Sequence, residues 1–314
     1  MQKRFEIMIV QRVGIHSVPD NIPDICACIG FFDGLHKGHQ ELIRQTIKMS
    51  EEKHCESALI TFDPDPWVTI RKMENVQHLA LFEQRVALCE KFGIDRVLVL
   101  DFTEEMAALN PDDFCTQVLD RLPLKGLVCG FDFHFGRMGR GDADYLKTHA
   151  SYPVMVVDSV NDIYRKISSS YITMMVEEGN VEYANQLLGY RYQFLGKVVP
   201  GRQVGRKMGF PTANIAFSPE YIVPARGVYG GYIKVKGMWH KAMANIGYNP
   251  TCNPTDQLSL ETHIIDFNED LYGEDVIFEF EKYLRDEKKF DTMEELIDRL
   301  SKDADIVRGM PDHE

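Results

Sequence analysis

The residues best suited to chemistry are concentrated in one decapeptide, Gly205-Arg206-Lys207-Met208-Gly209-Phe210-Pro211-Thr212-Ala213-Asn214. Gly205 and Gly209 let the backbone turn tightly and approach a ligand closely. Arg206 and Lys207 add positive charge to a loop whose successive N–H groups can form an anion-binding nest. Pro211 fixes the chain just before two oxygen donors, Thr212 and Asn214. In an extended segment those two side chains face the same way, and both are the hard donors that Mg²⁺ in a nucleotide site requires. The same residues also suit a surface turn closed by a Thr–Asn hydrogen bond, and the decapeptide alone leaves both readings open.

Two further clusters carry polar chemistry. The first is Gly30, Asp33, Gly34, His36, Gly38 and His39, within GFFDGLHKGH. It follows an apolar run fit for a buried strand and precedes a helical pattern, the place where α/β sheets bind phosphates. His36 and His39 could offer imidazole N–H groups to a polyphosphate, with Gly38 permitting close approach. A zinc pair is disfavoured because no third ligand is evident nearby; two exposed histidines at a helix cap remain an alternative. The second cluster is LETHIID, residues 260–266. Alternation puts Glu261 and His263 on one face of a strand. A carboxylate so placed, Glu261, could act as a general base. A solvated outer face is the competing reading.

These residues need elements to position them. Through the first half, apolar strand-like runs at 24–32, 56–62, 95–102, 124–130 and 152–158 alternate with helical patterns at 40–53, 82–93 and 110–122. Such alternation predicts a doubly wound parallel sheet. Polar loops then fall at strand ends: 61–66, 130–136 and 167–173. Asp132, among aromatic residues, could accept hydrogen bonds from a flavin or ribose while rings such as Phe62 stack. Ser168 and Ser169 could bind phosphate at a helix start or act as plain caps. From residue 192 the pattern changes to short apolar strands at 192–199, 227–235, 241–248, 258–267 and 275–284, with glycine turns between them. That density predicts a small antiparallel β-barrel, and 292–310 has the spacing of a C-terminal helix packed on it. The expected domains are 1–185, an α/β sheet domain, and 186–314, the barrel.

A chain of 314 residues with 44% hydrophobic content is long enough for two such cores, and its net charge of −13 argues against general nucleic-acid binding. Its seven cysteines include no C-x-x-C pair. They read as buried free thiols in a reducing cytoplasm, and no apolar stretch has the length of a membrane span. Oligomeric state is left open.

GFPTAN resembles the signature of riboflavin kinase, and FDGLHKGHQ is similar to the FAD synthetase version of the nucleotidylyltransferase signature. NIGYNPT and ETHIIDF follow in the order seen in the bifunctional riboflavin kinase/FAD synthetases. The resemblance implies a C-terminal half that phosphorylates riboflavin to FMN with Mg²⁺-ATP, with Glu261 as the catalytic carboxylate. It implies an N-terminal half that adenylylates FMN to FAD, where His36 and His39 stabilise charge moving onto pyrophosphate. The first half departs from the family at four positions: Phe31, Asp65, Ser170 and Thr173 stand where the family has Asn, His, Thr and Arg. Asp65 and Thr173 shift the pocket towards negative charge, so adenylylation is expected to be slow. A kinase with a non-catalytic first half, and a flavin-binding regulatory protein without turnover, are the rival expectations.

Overall fold

The computed structural model describes residues 8–201, 209–248 and 258–313. Gly205, Arg206 and Lys207, three of the expected nucleotide-binding residues, lie outside the described residues, as do Asn249–Thr251 of the NIGYNPT segment. The chain divides into two compact units. One comprises the residues up to Val76 together with Ala80–Ser168; the other comprises Gln77–Leu79 and the residues from Ser169 onward.

The first unit is a six-stranded sheet of order β1-β4-β3-β2-β5-β8, with every pair parallel. The strands are β1 (Ile9–Val13), β2 (Ile25–Ile29), β3 (Glu56–Asp63), β4 (Arg96–Asp101), β5 (Leu124–Gly130) and β8 (Val154–Val157). Between the last two sits a small hairpin, β6 (His134–Phe135) and β7 (Gly141–Asp142). All five residues of β2 are buried, as a parallel strand covered on both faces requires. Helix α1 (Lys37–Lys53) returns the chain from β2 to β3 and buries Leu42, Ile43, Thr46 and Met49. Full burial of Ile43 is worth about 1.5–3 kcal/mol. Gly126 on β5 leaves room for the Met49 sulfur, which a Cβ there would strike; overpacking of that kind costs about 1–3 kcal/mol. The shorter helices are α2 (Pro66–Arg71), α3 (Phe82–Lys91), α4 (Glu104–Ala108), α5 (Pro111–Gln117) and α6 (Ala143–His149). Strand β1 was not expected: its outer residues are exposed, so only its pairing with β4 marks it as a strand.

The second unit is a closed, six-stranded antiparallel barrel of order β10-β13-β12-β11-β14-β9. Its strands are β9 (Gln193–Val199), β10 (Ala213–Phe217), β11 (Gly227–Val235), β12 (Met238–Tyr248), β13 (Leu258–Ile264) and β14 (Asp275–Arg285). The core is aromatic: Tyr192, Phe194, Tyr221, Tyr229, Phe278 and Phe280 are all fully buried. Helix α9 (Met293–Arg308) seats Ala304 and Val307 against Tyr232 and Met243. Strand β10 is the one the sequence pattern did not isolate, because the decapeptide runs straight into it. Among the described residues no helix is long and apolar enough to cross a membrane.

The division at Ser168/Ser169 precedes the expected boundary at 185/186. Helices α7 (Ser169–Glu177) and α8 (Val181–Leu188) belong with the barrel. Asn185 Nδ2 donates to the Phe280 carbonyl at 2.8 Å, and its Oδ1 accepts from the Tyr192 N–H at 2.7 Å. Val181, Ala184, Leu187 and Leu188 are buried. A fragment starting at 169 should therefore melt well above one starting at 186, which loses Asn185, the buried Val181 and Ala184, and the buried Tyr171, Ile172, Met175 and Val176 of α7. Removing them costs at least several kcal/mol at roughly 1.5–3 kcal/mol per large side chain. Equal thermal midpoints for the two fragments would contradict this division.

Candidate active sites

In the first unit a cavity opens at the carboxyl ends of β2, β3, β5 and β8. Gly30, Phe62, His36, Gly38, His39, Asp132 and Ser168 all line it. The structure therefore brings together seven of the residues expected there from sequence. Asp33 and Gly34 are not among its walls. Asp33 Oδ1 instead accepts from the Ala80 N–H at 3.3 Å, and Gly34 takes a left-handed φ of 71° in the turn that delivers His36. Ser169 opens α7 in the other unit.

His36 caps α1, its Nδ1 accepting from the His39 N–H at 3.4 Å. Nδ1 thus carries no proton, and the neutral ring holds its hydrogen on Nε2. The His36 and His39 rings stack at 3.7 Å between centroids. Burial, reinforced by the nearby Lys166 charge, pushes His36 down to about 4. Burial, with the neighbouring His36 and Lys166 charges, also lowers His39 well below its ordinary value. Both are uncharged donors near neutral pH. Gly38 has a different purpose from the one expected: a Cβ there would lie 3.0 Å from His36 Cε1, so glycine makes room for the imidazole.

Two cations escaped the sequence reading. Lys166 lines the cavity, pairs with Asp132 and stands 4.5 Å over the Phe131 ring. Arg85, from α3, is buried beneath the strand ends. Its Nη1 donates to the Phe31 carbonyl at 2.8 Å and its guanidinium stacks 4.5 Å over the Phe31 ring. Burial lowers the Arg85 pKa, while the Asp33, Asp63 and Asp65 carboxylates pull it back up. Asp65 also caps α2, accepting from the Trp67 N–H at 2.7 Å. Its charge is thus shared with Arg85 and a helix start, not left uncompensated as the sequence suggested. Arg137 and Arg140 belong to the exposed hairpin turn and are not among the cavity's walls.

In the barrel the two-residue period of β13 serves two cavities. Glu261 and His263 line one, with Thr212, Asn245 and Arg285; Thr262 and Ile264 line the other, with Pro211, Thr212 and Tyr272. Thr212 faces both. Asn214 lies opposite Glu261 in the β10–β13 register, and Asn245 lies opposite it in the β12–β13 register. Glu261 therefore sits in a cross-strand row between two amides. The Asn214 side chain is buried and, among the described residues, its Oδ1 has no hydrogen-bond partner. Gly201 makes this possible, since a Cβ there would collide with the Asn214 amide. Arg285 is anchored by Asp303 of α9 at 2.8 Å. Neither Gly201 nor Arg285 carried a sequence signal beyond its residue type. Gly209 takes a φ of 80° in the turn before Phe210 and is not a wall of either cavity.

A parallel sheet with a His-x-Gly-His turn, followed by a closed barrel carrying GFPTAN, defines a two-module protein of the nucleotidylyltransferase and flavokinase folds. Comparison with known proteins agrees. Residues 19–171 match the FAD synthetase family and residues 188–310 match the riboflavin kinase family. A Listeria monocytogenes bifunctional riboflavin kinase/FMN adenylyltransferase is 38% identical over 90% of both chains. The Bacillus subtilis protein of the same name is 35% identical over 92% of this chain and 93% of its own. A Streptococcus pneumoniae crystal structure bearing the name macrolide-efflux protein superposes with a TM-score of 0.90 at 30% identity, covering 97% of this chain and 100% of that one. The chain belongs to the bifunctional riboflavin kinase/FMN adenylyltransferase family.

The neutral histidines make a pH prediction. An unfolded imidazole takes up a proton below about pH 6.5, whereas buried His36 waits until about 4. The stability of the first unit should be full above pH 6.5 and fall as pH drops from 6.5 towards 4. His36→Asn keeps a capping oxygen and removes the titration. Across that window denaturant unfolding should register a loss up to about 3 kcal/mol larger in the wild type than in the variant.

Proposed function

We propose that the chain phosphorylates riboflavin to FMN at the barrel site and adenylylates FMN to FAD at the sheet site, with ATP as the donor in both steps. The family supports both activities. The observation that carries the residue assignment is the row Asn214–Glu261–Asn245 beside Thr212, at the junction of the two barrel cavities. Riboflavin occupies the cavity walled by Glu261, and the nucleotide occupies the one walled by Pro211 and Thr262. Glu261 accepts the proton of the primary hydroxyl as its oxygen bonds to the γ-phosphorus and the bond to ADP breaks. Thr212 and Asn214 hold Mg²⁺: the unpartnered, buried Oδ1 of Asn214 is the kind of atom such an ion would satisfy. Bound there, the ion would offset charge on the transferring phosphate.

At the sheet site the nucleophile is the FMN phosphate, which attacks the α-phosphorus of ATP and releases pyrophosphate. His36 supplies an Nε2–H donor and Lys166 a positive charge as charge moves to the leaving group. Asp132 and Phe62 belong to the flavin end of the cavity. Phe31 stands in the cavity wall where the family has Asn and removes an amide from the strand end, so adenylylation runs slower than phosphorylation.

Incubation with riboflavin, ATP and Mg²⁺, with FMN and FAD separated by chromatography, should yield both products. Glu261→Gln keeps the shape and removes the base. FMN formation should drop by about 10²–10⁴, with conversion of supplied FMN to FAD unchanged. Near-normal FMN formation in that variant would remove Glu261 from the chemistry.

Lys166→Ala should do the converse. FAD formation should fall by about 10²–10³, with riboflavin phosphorylation intact. Unchanged FAD formation would leave Lys166 without a part in adenylylation.

A further inference from the structure

Residues Gly209–Thr212 connect the left-handed turn at Gly209 to the start of β10. Pro211 has no N–H to donate. Among the described residues, a single hydrogen bond ties this segment's main chain to the barrel: His263 Nδ1 to the Pro211 carbonyl, 2.8 Å. The ring preceding that carbonyl meets the same side chain, Phe210 and His263 lying edge to face at 5.2 Å. A carbonyl only accepts, so His263 Nδ1 carries the proton and the bond fixes the tautomer. The imidazole is itself held, being only 8% exposed and built on β13 two residues beyond Glu261. One rigid strand thus carries both the Glu261 carboxylate and the donor that grips the loop bearing Thr212.

We infer that His263 is a positioning residue for phosphoryl transfer: by holding the Pro211 carbonyl it fixes Thr212, and with it the start of β10 and its Asn214, relative to Glu261. The inference rests on the barrel being the kinase site. It does not require His263 to touch either substrate. A displacement of about 1 Å at a reacting centre can cost 10² in rate, and a loop tied by one hydrogen bond is free to move by that much when the bond is lost.

The test pairs two variants. His263→Asn retains an amide N–H close to where Nδ1 lies; His263→Leu keeps an apolar wall and removes the donor. Riboflavin phosphorylation is measured by chromatography and the affinity for ADP with Mg²⁺ by calorimetry, a readout independent of turnover. FAD formation from supplied FMN reports that the protein is folded. The Leu variant should lose about 10–10² in kcat and about tenfold in ADP affinity, the equivalent of ~1.4 kcal/mol. The Asn variant should recover most of both. Wild-type kcat and ADP affinity in the Leu variant would overturn the inference. So would an Asn variant as impaired as the Leu variant, because the hydrogen bond would then not be what matters. If the Leu variant fails to fold, the Asn variant decides alone: near wild-type values support the role, and a loss rejects it. Glu261→Gln is run alongside. Normal phosphorylation there would mean that the kinase site itself is misassigned, whereas an inactive Glu261→Gln beside a normal His263→Leu would reject only the positioning role.

Discussion

Strand β13 works under a strict constraint. Its side chains alternate, so a slip of one residue would exchange the walls of the two barrel cavities. Glu261 and His263 would then face the cavity of Thr262 and Ile264, and the row joining Asn214 to Asn245 through Glu261 would be broken. Closure of the barrel prevents this. Each strand is paired on both sides, so no strand can shift without breaking two ladders. The aromatic core adds a second lock, because Phe194, Phe278 and Phe280 pack against one another at ring distances of about 5 Å. Against that rigidity the structure tolerates a buried Asn214 Oδ1 with no partner among the described residues. An unsatisfied buried acceptor costs about 1–3 kcal/mol. A fold held this firmly can keep such an atom in place for a ligand.

The sheet unit solves a different problem, that of binding phosphates in a chain with a net charge of −13. It does so by local compensation. Arg85 lies beneath the strand ends within the fields of Asp33, Asp63 and Asp65, and Lys166 pairs with Asp132. At the outer edge Arg12 binds both Asp63, at 2.5 Å, and Asp101, at 2.9 Å. Two of the donors facing the cavity, His36 and His39, are neutral imidazoles. Their burial keeps them uncharged, which fixes their hydrogens in place and removes any dependence on protonation near neutral pH.

Much of this was legible in the sequence. Alternating apolar runs and helical spacings identified the parallel sheet, and the change to short strands after residue 192 identified the barrel. His36, His39, Asp132, Glu261 and Thr212 were singled out by residue type, spacing and family resemblance, and each lines a cavity. What escaped were residues whose importance is tertiary. Lys166 and Arg85 are ordinary cations until the fold brings them to the cavity or beneath it. Gly201 has meaning only because Asn214 occupies the space of its missing side chain. Asp65 was misjudged for the same reason: its partners, the Trp67 N–H and the Arg85 charge, come from a short helix and a distant one. The expected boundary at 185/186 fell within α8, because nothing local reveals that Asn185 reaches Phe280.

The two sites differ in a way that follows from their nucleophiles on the proposed reading. A primary hydroxyl is a weak nucleophile and holds its proton at neutral pH, so the barrel needs a carboxylate beside it. An FMN phosphate is already an anion with free oxygens. It needs no base, and a bare carboxylate near it would only repel it. The sheet cavity accordingly presents N–H donors and a lysine. Of its acidic walls, Asp65 serves as a helix cap near Arg85 and Asp132 pairs with Lys166. The barrel's acid stands between two neutral amides, Asn214 and Asn245, in the cross-strand register. Carboxylates thus have different cross-strand and loop partners at the two sites. That difference allows one chain to make a phosphate ester at one site and use it as a nucleophile at the other.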